Sequence, residues 1–360
     1  MSKIVISGYY GFANAGDEAM LTAIIKSLRS KESNVQLTVI SGNPEFTASK
    51  YRVNSIHRFN FLSIISALKE SDLLLSGGGS LLQDVTSKRS LLYYLFIIGI
   101  GRFLNKKVML FAQGIGPINS CFLRKLTKKV CSKADLITVR DTDSLIELKR
   151  IGINDSKVHL TADAVLTLPK AETGQGKILL KQASVPLHKK LIVISVRQWQ
   201  KNNYLTALAQ GADILAEKYD AHIVFLPLQH AADKEICTLV QSEMKNSADS
   251  TVLDVKCDTE QFLSVIGNAD LMIGMRLHAL VFASVMEIPF AALSYDPKIE
   301  GFVKEISGIS AGDVNELTCD SIVSAAEKAL LGKEQHKQNL AQLRRKALLN
   351  TNLAFNLLRN

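Results

Sequence analysis

The sequence predicts an α/β protein of two units, each a parallel sheet wrapped by helices. Three observations carry that expectation. Short apolar runs of strand length alternate with helix-length segments along most of the chain. The 360 residues exceed the roughly 100 to 200 expected of one domain. The alternation also breaks once, at 169–190, and then starts afresh.

The first half opens with a strand, Lys3-Ile4-Val5-Ile6-Ser7, and a glycine-rich turn from Gly8 to Glu18 that leads into a helix ending near Arg29. The turn lacks the Gly-x-Gly-x-x-Gly spacing, so a nicotinamide dinucleotide loses its main support. Asp17 and Glu18 fall at the helix start, where carboxylates suit the macrodipole, and Asp17 is equally a candidate catalytic carboxylate. Further strands are expected at 35–40, 53–57, 72–76, 107–111 and 135–139. The strand ending at Ser76 runs into Gly77, Gly78 and Gly79, expected as a loop opening the next helix. Such a loop serves either close ligand approach or a tight turn, and no Gly-Lys-Ser/Thr follows to make it a Walker loop. Ala112-Gln113-Gly114 and Thr138-Val139-Arg140-Asp141 close the next strands, adding Gln113 and Arg140 as candidates.

Pro169, Gly174, Gly176 and a polar stretch to Lys190 read as a linker. A second unit then begins with a strand that ends at Arg197, followed by a helix at 204–219, a strand at 223–226, a helix near 233–245 and a strand at 251–255. The apolar run Ala269 to Ile273 reads as a buried strand, and Gly274-Met275-Arg276-Leu277-His278 follows it into a helix starting at Leu280. An arginine and a histidine side by side at a strand's carboxyl end, where α/β sheets bind ligands, look built for an anion. Taken singly, each residue has a structural alternative: a cap or ion pair for Arg276, a satisfied core position for His278. Pro289 to Ser294 is the next strand, with Tyr295-Asp296-Pro297-Lys298 at its end. Helical patterns at 321–331 and 334–358 close the chain with a basic polar face that could pack back across the junction. The expected division is thus 1–168, a linker at 169–190, a second domain at 191–320, and helices at 321–360. Ser71-Asp72-Leu73, Ala134-Asp135-Leu136 and Ala269-Asp270-Leu271 echo one another, each leading into a strand and then a polar loop. Two similar halves, each offering a cation at its sheet edge, would make a two-lobed cleft.

A net charge of +9 implies anionic company: phosphorylated metabolites, nucleic acid or an anionic membrane surface. Nucleic acid is the least supported, since zinc-finger spacing, an arginine-rich arm and an aromatic platform motif are all missing. Five scattered cysteines without Cys-x-x-Cys fit a reducing compartment, and the N-terminus entering a strand directly argues against a signal peptide. The longest apolar run, Leu91 to Gly101, is shorter than the roughly 20 residues of a spanning helix and reads as a core helix. Arg102, Lys106, Lys107, Arg124, Lys125, Lys128 and Lys129 follow it, either as a solvated basic face or as a surface for anionic lipid.

Six blocks together resemble the polysaccharide pyruvyl transferases, especially those associated with bacterial cell-surface anchoring: SGYYGFANAGDEAML at 7–21, SGGGSLLQDVTS at 76–87, FAQGIGP at 111–117, ITVRD at 137–141, MRLHAL at 275–280 and SYDPKI at 294–299. The resemblance implies two Rossmann-like lobes facing a cleft, as in the GT-B glycosyltransferases. It implies transfer of pyruvate from phosphoenolpyruvate onto a sugar as a 4,6-ketal. The implied sugar is N-acetylmannosamine of a lipid-linked cell-wall polymer precursor, at the cytoplasmic face of the membrane. Carried onto this sequence, it sets Arg140, Arg276, Leu277 and His278 around the donor, with Lys298 where some members have another basic residue.

The chemistry agrees with those residue types. Phosphoenolpyruvate joins a phosphate to a carboxylate, and two arginine forks, from Arg140 and Arg276, would suit them. His278 is the expected general acid/base for protonating the enol, and Asp17 the expected base for the sugar hydroxyl. Gly77, Gly78, Gly79, Gln113 and Arg197 complete the expected substrate contacts. Neither a metal nor a cofactor is called for. The competing expectation is a nucleotide-sugar glycosyltransferase on the same scaffold.

Overall fold

The computed structural model describes residues 1–153, 156–200 and 203–359. The chain divides into two compact units: Met1–Leu168 together with the chain from Leu343 on, and Pro169–Gln342.

In the first unit the strands are β1 (Lys3–Ser7), β2 (Gln36–Ser41), β3 (Asn54–His57), β4 (Leu73–Leu82), β5 (Lys107–Ile115), β6 (Leu136–Val139) and β7 (Val158–Leu160). Between them run α1 (Ala15–Lys31), α2 (Pro44–Tyr51), α3 (Phe61–Glu70), α4 (Lys88–Phe103), α5 (Cys121–Cys131) and α6 (Thr142–Arg150). The strands pair in the order β3-β2-β1-β4-β5-β6-β7, parallel throughout. The central strands are buried along nearly their whole length, as a sheet covered on both faces requires.

The second unit holds α7 (Gly174–Gln182), β8 (Lys190–Ser195), α8 (Leu205–Tyr219), β9 (Ala221–Phe225), α9 (His230–Glu243), β10 (Ser250–Val252), α10 (Thr259–Ile266), β11 (Leu271–Gly274), α11 (Leu277–Met286), β12 (Phe290–Ser294), α12 (Pro297–Ile306), β13 (Ile309–Asp313) and α13 (Cys319–Leu331). Its six parallel strands follow β10-β9-β8-β11-β12-β13. Helix α11 is apolar almost all round and buried from Ala279 to Met286, the mark of a core helix.

Both sheets have Rossmann-like order. The strand order reverses between β1 and β4 in the first unit and between β8 and β11 in the second. The carboxyl ends of those four strands are where such sheets bind ligands.

Several expectations need correcting. Strands β4 and β5 do not stop at Ser76 and Phe111: Gly79 pairs with Gln113 and Leu82 with Ile115 across a register shift. Positive φ at Gly78 and Gly79 lets β4 kink there and continue, so Gly77–Gly79 lies within a strand and α4 begins later, behind the Ser87 cap. The expected linker contains α7, whose Gly176 lies so close to α10 that an added Cβ would stand 2.2 Å from the Ser264 carbonyl oxygen. That glycine serves helix packing rather than a turn. The expected terminal block at 321–360 is divided: Ile322, Ala325 and Ala326 of α13 join the second core, while the last helix, α14 (Lys333–Arg359), groups with the first unit from Leu343 on. Strands β7 and β13 and helices α10 and α12 were not expected; all are short, the longest being the ten residues of α12.

Candidate active site

In the first unit the turn after β1 is folded around Tyr10. The buried phenol donates to the Gly77 carbonyl at 2.7 Å, and Gly8 leaves room for the ring. Gly11 N–H donates to Glu18 at 2.8 Å, and the Tyr51 hydroxyl donates to the other Glu18 oxygen at 2.6 Å. Asn14 caps α1, accepting from the N–H groups of Gly16 and Asp17. These bonds fix Asp17 in the first turn, with its Oδ1 3.1 Å from where a Cβ on Gly79 would stand. Burial pushes the Asp17 carboxyl up to about 7; the neighbouring Glu18 and Asp163 add to the rise and Arg140 opposes it.

Of the three glycines, Gly77 and Gly78 meet α1 rather than open space. Added Cβ atoms would lie 3.0 Å from Ile24 and 2.0 Å from Met20. Gln113 is wholly buried and donates from Nε2 to the Gly79 carbonyl at 2.8 Å, a strut between β5 and β4.

Arg140 departs from expectation. It is only 5% exposed, donating to Asp163 at 2.8 Å and to the Ser80 hydroxyl at 3.1 Å, with Asp141 at 3.4 Å. Two carboxylates already compensate its charge, so its fork supports the polar cluster around Asp17 instead of standing open to a donor.

In the second unit Arg197 follows β8 and Arg276 follows β11, on neighbouring strands. Arg276 grips Asp233 from α9 with Nε at 2.6 Å and with Nη2, and Nη2 also reaches Gln229 at 3.2 Å. Arg197 is held differently. Its Nη1 donates to the Tyr295 hydroxyl at 2.8 Å, and its guanidinium lies 5.0 Å from the Tyr295 ring centroid and 6.0 Å from that of Trp199. Among the described residues no carboxylate is within ion-pairing distance of it.

Arg276 occupies the N-cap position of α11, which has no side-chain cap, and Leu277 and His278 form its first turn. The helix starts three residues earlier than expected, and that places both residues at its positive end. His278 is half-buried, its ring 6.3 Å from that of Phe282. Lys298, also half-buried, lies in the first turn of α12, where its N–H is capped by Asp296.

The residues missed by sequence reasoning are Asp163, Ser80, Asp233, Gln229, Trp199 and Tyr295. Tyr295 directly follows β12, Gln229 follows β9 by four residues and Asp163 follows β7 by three. The strand-end rule applied to β8 and β9 finds Trp199 and Gln229, whereas Asp163 follows a strand too short to be expected and Ser80 and Asp233 lie inside β4 and α9. Among the described residues no group of three or more His, Cys, Asp or Glu side chains is gathered to hold a metal, and the five cysteines are free thiols. No described helix is long and apolar enough to cross a membrane.

Residues 14–297 match the family model of the polysaccharide pyruvyl transferases. The chain is 22% identical to the amylovoran biosynthesis protein AmsJ of Erwinia amylovora, over 94% of this chain and 95% of that one. Among solved structures it is similar to the UDP-GlcNAc 2-epimerase from Neisseria meningitidis bound to UDP-GlcNAc (TM-score 0.66, 13% identity, all of both chains). It is also similar to Anabaena HepE in complex with UDP and glucose (TM-score 0.65, 11% identity, 99% of this chain and 98% of that one). At such identities these likenesses speak for a GT-B-type fold of two Rossmann-like units. The family match spans both units, from the Asn14 cap beside Asp17 to the turn that carries Arg276 and His278, and on it the chain belongs to the polysaccharide pyruvyl transferase family.

Proposed function

We propose that the protein moves pyruvate from phosphoenolpyruvate onto two hydroxyls of a sugar as a 4,6-ketal, releasing phosphate. The acceptor on this reading is N-acetylmannosamine of a lipid-linked cell-wall polymer precursor, met at the cytoplasmic face of the membrane. The observation that carries the reading is the cationic sheet end of the second unit. Arg197, without a carboxylate partner among the described residues, stands with Arg276 and the uncapped start of α11 at the switch point of that sheet. A donor bearing a phosphate beside a carboxylate needs that much positive potential.

The reaction balances without a cofactor. One hydroxyl proton of the sugar ends on the methylene carbon, making the methyl group. The other leaves with the phosphate, and two C–O bonds form as the enol double bond and the C–O bond to phosphate are lost. His278 is the acid for the carbon, and Leu277 contributes a backbone N–H to the donor. Arg276, braced by Asp233, and Arg197, backed by two aromatic rings, hold the anionic groups, and Lys298 adds a third positive charge. Asp17, raised to about 7 and therefore able both to take and to give a proton near neutrality, serves the sugar hydroxyl. Gly79 and Gln113 shape the wall beside it, with Gly77 and Gly78 behind, and Arg140 steadies the cluster.

The test is incubation with phosphoenolpyruvate and a panel of lipid-linked saccharides, followed by mass spectrometry and a phosphate assay. One phosphate per pyruvyl added is the expected result. Thermal protection by a UDP-sugar but not by phosphoenolpyruvate would sink the reading in favour of a nucleotide-sugar glycosyltransferase.

A further inference from the structure

Helix α4 buries one face in the core of the first unit through Leu91, Tyr94, Leu95, Ile97 and Ile98. Beyond the first turn its opposite face also carries large apolar side chains. Leu92, Phe96 and Phe103 are exposed, Phe103 to 86%, and they follow helical spacing over about 16 Å. Gly99 lies between them with nothing near its missing side chain. Beside this stripe, α3 offers Phe61, whose ring meets that of Phe96 at 5.6 Å, and Leu62, 84% exposed. Large apolar side chains gathered on one surface mark an interaction site.

The charge around the stripe says what it meets. Helix α4 has no acidic residue and starts with exposed Lys88 and Arg89; α3 has a single acidic residue, Glu70, in its last turn. Arg58, just before α3, is ringed by Phe12, Phe59 and Tyr93 at 4.6–5.2 Å, with no ion-pair partner among the described residues. Three of the seven basic residues expected from sequence to form this flank are engaged elsewhere. Arg102 pairs with Asp135, and Lys106 and Lys107 donate to backbone carbonyls.

We infer that the α3–α4 face, with Arg58, Lys88 and Arg89 at its border, is a docking surface for an anionic lipid bilayer. Aromatic and leucine side chains enter the acyl boundary while the cations meet headgroup phosphates. Phe12, stacked on Tyr9 at 4.3 Å, belongs to the turn that leads into α1 and Asp17, so the surface borders the acceptor side of the proposed reaction. That a lipid-linked acceptor is presented there rests on the function proposed above; the docking itself does not.

The test is co-sedimentation of the full chain with phosphatidylglycerol-containing vesicles and with neutral phosphatidylcholine vesicles. The expected result is binding to the anionic vesicles that weakens as salt rises. The exposed pair Phe96→Ser with Phe103→Ser should lower that partitioning by about tenfold or more, with unchanged circular dichroism. Lys88→Gln with Arg89→Gln should remove much of the salt dependence. Equal binding to neutral vesicles, no binding, or full binding by the Phe96/Phe103 variant each overturns the inference. So does self-association that the same variant abolishes while vesicle binding persists, since the face would then belong to a second copy. Pyruvyl transfer to a short water-soluble acceptor, assayed in parallel, should survive both variants. Its absence from the unaltered protein would instead count against the proposed reaction.

Discussion

Asp17 shows how much of a residue's chemistry is set by its neighbours. A carboxyl pushed up to about 7 stays largely protonated where the unfolded chain has already released its proton. Between roughly pH 4 and 7 the native state therefore holds more protons than the unfolded one, and this residue's contribution to stability declines as pH rises through that window. Asp17→Asn removes the titration. We expect little change in stability at low pH and a gain of about 1–2 kcal/mol above neutrality, the gain being limited by partial solvent access. Pyruvyl transfer should fall by about 10² to 10⁴ and lose the limb of its pH profile near 7. Unfolding and activity measured across pH would check both, and wild-type activity in the variant removes Asp17 from the chemistry. The two arginines of the second unit invite a different comparison. Arg197→Ala should weaken phosphoenolpyruvate binding and leave stability nearly unchanged, because the charge rests on aromatic faces near the surface. Asp233→Ala strands the guanidinium of Arg276 and should cost about 2–4 kcal/mol along with donor binding. Donor titration and urea unfolding of both variants distinguish the roles.

At the level of elements, the glycines of β4 are the test case. Their meaning was ambiguous in sequence because close packing and ligand approach both require a missing Cβ. The structure separates them: Gly78, at φ +59°, sits against Met20 of α1, whereas Gly79 faces Asp17. Gly78→Ala should destabilise the first unit by about 2–4 kcal/mol through overlap and backbone strain. Combining it with Met20→Ala should recover only the overlap portion. An undisturbed urea midpoint for Gly78→Ala would contradict this packing. The strands themselves were legible because buried parallel strands are long apolar runs with abrupt ends. Helix α12 and strand β13 were not, since their sequences are half polar and tertiary contacts decide their shape. The candidate site was half legible. Arg276 and His278 stand out in sequence as near neighbours after a strand; the ion pair that holds Arg140 does not, because Asp163 lies 23 residues away.

At the scale of the whole molecule, the last helix settles what the chain must retain. From Leu343 on, α14 belongs with the first unit although more than 170 residues of the other unit intervene. Its attachment is specific: Asn350 is wholly buried, accepts from the Thr161 hydroxyl at 2.8 Å and donates to the Ala162 carbonyl at 3.1 Å. Leu343, Ala347, Ala354 and Phe355 are buried beside it, and Lys107 donates to the Leu357 carbonyl at 2.9 Å. Thr161 and Ala162 immediately precede Asp163, the carboxylate that holds Arg140, so the helix braces the segment on which the polar cluster around Asp17 depends. Asn350→Ala should cost about 1–3 kcal/mol by leaving buried partners unpaired, and should lower pyruvyl transfer as the Asp163 segment loosens. Ending the chain after Gln342 should go further, since it exposes the apolar surface that the missing residues covered. The first unit should then lose its cooperative thermal transition while the second, whose core lies between Ile192 and Ala329, keeps its own. Calorimetry of the shortened chain decides the matter: two intact transitions would mean that the terminal helix is an accessory, and a single surviving one that it completes the first core.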